Sequence, residues 1–339
     1  MPHDHRPARP RLAVVLPPGA REQLFGPKEW ESLTRTGEVV ADCPDAGALL
    51  GHPGAAGAEV LVTSWGAPRL TAGVLARLPA LHTVLYGAGS IRDLVTDACW
   101  ERGLTVVSAA DANNGPVAEY VYAQTVLALK DVHRRSRRIA SERALPPLDD
   151  VPGIHGQSVG LVSFGSVARK VAAHLGRLGT RVLAWDPFLD EAVFRAAGAE
   201  RVAELPDLVA RSSVLSVHTP LVPGRTEGLI TGGLLRLLPR GATLINTARG
   251  AVVDEEAMIR TLTERPDLQA VLDVTAEEPP APGSALYTLE NVLLTGHVAG
   301  TVGSERRALG ALLVEELARV AAGERPLHAV SPEESLLRA

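Results

Sequence analysis

The sequence predicts an α/β protein of two parallel-sheet domains, and three observations carry the prediction. Its 339 residues are about twice the length of an ordinary domain. Short apolar stretches alternate with segments that read as helices or turns, which is the pattern of βα units and a parallel sheet. The pattern stops once, at Asn113-Asn114-Gly115-Pro116, and restarts after Leu145-Pro146-Pro147.

Five strands are predicted before the break: Leu12 to Leu16, Glu38 to Ala41, Val60 to Thr63, His82 to Tyr86 and Leu104 to Val107. Pro116 suits the first turn of a long helix running to about Arg138, with Val117, Val121, Leu127 and Leu129 on its apolar side. This helix reads as a bridge between domains. Six strands are predicted after the restart: Val159 to Val162, Arg181 to Trp185, Ser213 to Val217, Ala242 to Asn246, Ala270 to Asp273 and Val292 to Leu294. Six strands with intervening helices is the count of a complete dinucleotide-binding fold. Ser304 to Ala321 reads as one amphipathic helix, too little for a domain of its own, and is expected to pack back on the first domain. The outermost ten or so residues at each end carry little apolar content and are expected to fray.

Composition excludes several function classes. With 46% hydrophobic and 22% charged residues, the chain has the balance of a soluble globular protein. No run approaches the roughly 20 apolar residues of a membrane-spanning helix, and Met1 to Arg11 is polar and proline-rich, so a cytoplasmic protein without a membrane partner is expected. Cys43 and Cys99 are too few for a disulfide framework and read as small buried apolar residues. A net charge of -5 with pI near 6.1 gives no global attraction for nucleic acid. Arg134, Arg135, Arg137 and Arg138 are expected to complement the carboxyl end of the bridging helix and to stay solvated. His3 and His5 lack further ligands at metal-binding spacing, so no metal is expected.

The strand Val159 to Val162 leads into Ser163-Phe164-Gly165-Ser166-Val167-Ala168 and then a helix. In a Gly-x-Gly-x-x-Gly turn the first glycine makes the bend, the second lets the backbone approach a pyrophosphate, and the third allows close helix packing. Gly165 keeps the second role and Ala168 is tolerated in the third; Ser163, in the first, implies a backbone angle that does not demand glycine. Asp186 ends the next strand, 21 residues beyond Gly165, where a carboxylate can bind ribose hydroxyls and repel a 2′-phosphate. NAD is therefore favoured over NADP as cofactor.

Ligands of open parallel sheets bind outside the carboxyl ends of the strands. Arg249, Glu278 and His297 each follow a predicted strand closely enough to reach one crevice. A guanidinium can hold a carboxylate in a fork, a histidine can shuttle a proton, and a carboxylate beside it can favour the imidazolium. These are the parts needed to move hydride between nicotinamide and a 2-hydroxy or 2-keto acid.

Asn246-Thr247-Ala248-Arg249-Gly250-Ala251-Val252-Val253-Asp254-Glu255, Leu272-Asp273-Val274 leading to Glu278-Pro279, and Gly296-His297-Val298-Ala299-Gly300 resemble the signatures of the D-isomer-specific 2-hydroxyacid dehydrogenases. His218-Thr219-Pro220-Leu221 with Gly228-Leu229-Ile230, and Asn113 with Val117-Ala118-Glu119, extend the likeness. The resemblance implies two Rossmann-like, doubly wound domains with a cleft between them that closes on substrate. The substrate domain, flavodoxin-like and discontinuous, would comprise residues 1–118 and 301–339, and the NAD-binding domain residues 119–300, in a homodimer. It also implies that Arg249 binds substrate, that His297 is the general acid/base, and that Glu278 pairs with it. NAD contacts are implied from Phe164, Gly165, Ser166, Val167, Asp186, His218, Thr219, Pro220, Thr226, Thr247, Ala248, Asp273 facing the nicotinamide end, His297 and Gly300. Gly87-Ala88-Gly89 resembles the loop whose N–H groups hold the substrate carboxylate, with Arg249 and His297 completing the substrate site.

Ser163, the segment Ser90 to Arg92, and Thr275 in place of a frequent aromatic depart from the family pattern. Oxidation of another small anion such as phosphite, or an NAD-sensing, corepressor-like interaction protein, remain alternatives that turnover would separate. Trp65 and Tyr86 are expected to shape the substrate pocket.

Overall fold

A computed structural model of the chain describes residues 9–337. His3 and His5 lie outside the described residues, as do the outermost parts of the ends expected to fray. The chain divides into two compact units, Met1–Asn113 with Thr301–Ala339, and Asn114–Gly300.

The first unit is built on β1 (Arg11–Val15), β2 (Glu38–Cys43), β3 (Val60–Thr63), β4 (Thr83–Tyr86) and β5 (Thr105–Ser108). All pairings are parallel, in the order β2-β1-β3-β4-β5, which is the flavodoxin order. Central strands β3 and β4 are buried throughout, which is why they read as unbroken apolar runs rather than alternating ones. The helix Arg306–Ala321 covers one face, placing Leu309, Leu313 and Leu317 among Leu12, Val14 and Leu85. It comes in close at Gly310, where an added Cβ would lie 1.9 Å from the Leu24 carbonyl oxygen. Beyond this helix, the buried Glu316 carboxylate accepts the backbone N–H groups of Leu327 and His328. The segment so held bonds to β5 through Ser108 N–H to His328 O and Val330 N–H to Val106 O, covering the sheet's edge. Pro332–Leu337 is helical, against the expectation of fraying there: Ser331 and Glu334 cap each other's N–H groups.

The second unit holds β6 (Ser158–Val162), β7 (Arg181–Trp185), β8 (Glu200–Arg201), β9 (Val214–Val217), β10 (Thr243–Asn246), β11 (Gln269–Leu272) and β12 (Val292–Leu294). They form one parallel sheet in the order β12-β11-β10-β9-β6-β7-β8. The seventh strand, β8, escaped the sequence reading because its two residues are both exposed at the edge and carry no apolar signal.

The predicted bridging helix is corrected at both ends. A helix runs Ala110–Leu129 with Pro116 inside it, so Asn113 to Pro116 does not break the chain. A second helix, Val132–Glu142, follows after Asp131 turns to φ 53. That turn is held by the Asp131 carboxylate, which pairs with Arg134 and accepts from Gln269 Nε2. The arginine cluster lies in this second helix rather than at the carboxyl end of one long helix. Arg134 and Arg135 donate to the carbonyls of Asp267, Pro146 and Pro147, fastening loops, and Arg138 pairs with Glu142. Both cysteines are free and buried. Among the described residues no helix is long and apolar enough to cross a membrane.

Candidate active site

In the seven-stranded sheet the strand order reverses between β6 and β9, and ligands of open α/β sheets bind beyond the carboxyl ends at such a point. Ser163, just after β6, has φ 66, the left-handed region that the first fingerprint glycine normally supplies. The expectation that this position does not demand a glycine angle is therefore wrong. Its hydroxyl shares a 2.9 Å hydrogen bond with Thr219 Oγ1, just after β9, which ties the turn across the switch point. An added Cβ at Gly165 would meet no atom within 4 Å, so the turn is open on that side. The helix Ser166–Leu175 starts there with no side-chain cap. Its first N–H groups and the positive end of its dipole suit a phosphate.

Asp186 follows β7. Its Oδ2 accepts Phe164 N–H at 2.9 Å and its Oδ1 accepts Phe188 N–H at 3.0 Å, so it fastens the turn while each oxygen keeps a further lone pair. Phe164 stacks on Phe194, with centroids 4.9 Å apart and planes at 4°, and is wholly buried. Its side chain is core, and its N–H already serves Asp186. Ser166 Oγ accepts from Asn114 Nδ2, and Val167 packs partly against the core.

Two buried polar atoms lie unpaired just beyond neighbouring strands: His218 Nε2 after β9 and Thr247 Oγ1 after β10. Burial pushes the His218 pKa down to about 4, so the ring is neutral. A dinucleotide laid across these strand ends would bring the polar partners these atoms lack, while the uncapped helix and open Gly165 fit its pyrophosphate. Thr226 is different. Its hydroxyl donates to Pro220 O and accepts Val222 N–H, so it clasps its own loop.

The Asn246 side chain fixes the turn after β10, accepting from Ala248 N–H and donating to Arg249 O. At Gly250 a Cβ would lie 1.9 Å from the Thr275 carbonyl carbon. Only glycine lets these two loops touch, and the contact keeps half-buried Arg249 beside the segment leading to Glu278. The buried Asp273 carboxylate accepts Thr295 Oγ1, Val298 N–H and Ala299 N–H at 2.7, 2.8 and 2.9 Å. Its carbonyl accepts His297 N–H at 2.7 Å, and the Tyr120 hydroxyl donates to Thr295 Oγ1 at 2.9 Å. Asp273 thus holds the loop Thr295 to Gly300, in which His297 itself sits at φ 63. His297 Nδ1 meets Glu278 Oε2 at 2.8 Å, with side chains 52% and 41% exposed. At that exposure the pair adds little to stability. Its consequence is orientation: the carboxylate accepts from Nδ1–H and leaves Nε2 for other chemistry.

Gly87-Ala88-Gly89 lies in the first unit, after β4. Gly87 N–H is spent on Thr63 O at 2.7 Å, so of this loop Ala88 and Gly89 keep N–H groups without an acceptor among the described residues. Tyr86, expected to shape the substrate pocket, has its ring buried in the core, and desolvation pushes its hydroxyl up to about 12. Trp65 is 44% exposed and lies under the Arg306 guanidinium, 5.3 Å from its ring centroid. Arg306, Thr295 and Tyr120 were not singled out from sequence. Each reads there as an ordinary helix or strand-end residue, and only the fold gives it a partner.

A parallel sheet with a turn suited to phosphate at its switch point and a histidine-carboxylate pair at its strand ends is the arrangement of a nucleotide-dependent oxidoreductase. The family profile described as D-isomer specific 2-hydroxyacid dehydrogenase, NAD binding domain, matches residues 122–299. An (S)-sulfolactate dehydrogenase of Chromohalobacter salexigens is 36% identical over 256 residues, 70% of this chain and 80% of that protein. A D-3-phosphoglycerate dehydrogenase of Mycobacterium tuberculosis is 31% identical over 283 residues, 84% of this chain. The chain spans about half of that relative, 52%. The crystal structure of a phosphoglycerate oxidoreductase from Rhizobium etli superposes with a TM-score of 0.80 at 22% identity, covering 98% of each chain, and shares the fold. The chain belongs to the D-isomer-specific 2-hydroxyacid dehydrogenases, NAD-dependent enzymes that transfer hydride between nicotinamide and 2-hydroxy or 2-keto acids.

Proposed function

We propose that this chain interconverts a small D-2-hydroxy acid and its 2-keto acid with NAD(H), using His297 as proton donor and acceptor. The observation that carries the reading is the 2.8 Å contact of His297 Nδ1 with Glu278 Oε2, on a loop held by Asp273. Bound NADH supplies the hydride. In the reducing direction His297 Nε2 donates its proton to the carbonyl oxygen, and Glu278 steadies the imidazolium before that step. Arg249 would hold and polarise the substrate; in the first unit, the N–H groups of Ala88 and Gly89 would suit a carboxylate. His218, Thr219 and Thr247 would hold the cofactor, and Asp186 would accept its ribose hydroxyls.

The division into a substrate domain and an NAD domain follows the two compact units. Exposed Val132, Ile139, Leu145 and Leu148, on one helix and the loop after it, suit a homodimer contact. We place the protein in the cytoplasm. A panel of 2-keto acids with NADH and NADPH, followed at the nicotinamide absorbance, tests the reading. Turnover of at least one acid is expected. Cofactor binding without turnover of any acid would favour a sensing role instead.

A further inference from the structure

We infer that the first unit carries a second anion subsite, centred on Arg306, that selects acids bearing another negative group away from the reacting end. The inference rests on the dehydrogenase reading above. A cavity of about 250 Å³ lies at the carboxyl ends of β1 and β3, lined by Pro17, Gln23, Leu24, Ser64, Trp65 and Arg306 among others. It is smaller than sites for drug-sized ligands, so it suits a substituent of a few atoms. Among the described residues, Arg306 is the only charged group lining it.

The guanidinium is held but not satisfied. Nη1 donates to Gln23 Oε1, and the ring of Trp65 lies beneath the group. Among the described residues, Nε is shielded from solvent with no acceptor and no acceptor meets Nη2. Nη2 is left to bind an oxyanion in the cavity by charge-assisted hydrogen bonds, and the unpartnered Nε costs the guanidinium part of its solvation. Arg306 is the first residue of the helix Arg306–Ala321, directly after its N-cap residue Glu305.

The cavity adjoins the proposed carboxylate loop within the same unit. Ser64 Oγ donates to Gly87 O at 2.8 Å, and Ala88 and Gly89 follow directly. A substrate anchored there by its carboxylate can extend a second carboxylate, sulfonate or phosphate toward Arg306.

The test compares oxaloacetate and 3-sulfopyruvate with 2-ketobutyrate, which has a similar length but one charge. The wild type should favour the doubly charged acids in kcat/KM by about tenfold or more, and Arg306→Gln should reduce that ratio about 10- to 100-fold, mainly through KM. Arg306→Lys, which keeps the charge without the fork, should fall between. No preference in the wild type, or an unchanged ratio in a folded Arg306→Gln, overturns the subsite while leaving the dehydrogenase reading intact. If no 2-keto acid is turned over, that reading fails, and calorimetry with succinate against butyrate decides the subsite: Arg306-dependent succinate binding supports it, and equal binding overturns it.

Discussion

His297 and Ser163 both hold left-handed backbone angles, φ 63 and φ 66, and each is fixed by a different device. Strained residues of this kind persist where their surroundings over-determine them. For His297 the surroundings are the Asp273 carboxylate and carbonyl, so exchanging its ring should leave the loop in place. His297→Asn should lower kcat by about 10² to 10⁴, the usual worth of a positioned acid, with NADH binding retained. Steady-state kinetics paired with NADH fluorescence titration checks this, and full activity would remove His297 from the chemistry. Ser163→Gly relieves a left-handed angle worth about 1 kcal/mol but deletes the Thr219 bond, itself worth about 1 kcal/mol. The two effects offset, so the melting temperature should move by only a few degrees. A large loss would mean that the hydroxyl bridge, rather than the bend, keeps the turn in register.

At the scale of elements, Asp186 joins the end of β7 to the turn after β6 through Phe164 N–H and Phe188 N–H, a structural duty besides the ribose contact proposed for it. With a carboxylate where a 2′-phosphate would sit, NADH should be preferred over NADPH. Asp186→Ala should narrow that preference while weakening NADH as well, because the turn loses two bonds. Equal kcat/KM for both cofactors in the wild type would refute the assignment. The strands that position this site were legible because parallel strands buried on both faces are continuous apolar runs. What escaped were features without an apolar signature. The two exposed residues of β8 are one. Another is the helix that accommodates Pro116 and then stops before Asp131, whose carboxylate is held by nearby Arg134 and by Gln269, 138 residues further on. His297 and Glu278 could be named from motifs, whereas the service of Asp273 and Thr295 to the His297 loop, and of Arg306 to its cavity, depends on contacts no spacing reveals.

For the molecule as a whole, the neutral His218 beyond β9 links the cofactor end of the sheet to stability. Its folded pKa is about 4 because burial disfavours the charged ring, against about 6.5 in an unfolded chain. Between those values the unfolded state binds a proton that the native state does not, so stability rises with pH across this window and is lost as pH falls through it. The loss from pH 7.5 to pH 5 should reach about 2 kcal/mol. Asp267 behaves differently: its side-chain bond with Arg265 and the Gly241 N–H hold its carboxyl down at about 2, so its contribution persists to pH 4 and disappears only below. The two windows therefore separate. Urea denaturation at pH 7.5 and pH 5 should show a smaller pH-dependent drop in midpoint for His218→Gln than for the wild type, with the gap between the two changing by only about 0.3 kcal/mol from pH 4 to pH 3. An identical drop in both proteins would mean that His218 takes up its proton in the native state, and the sealed, neutral ring beyond β9 would have to be abandoned.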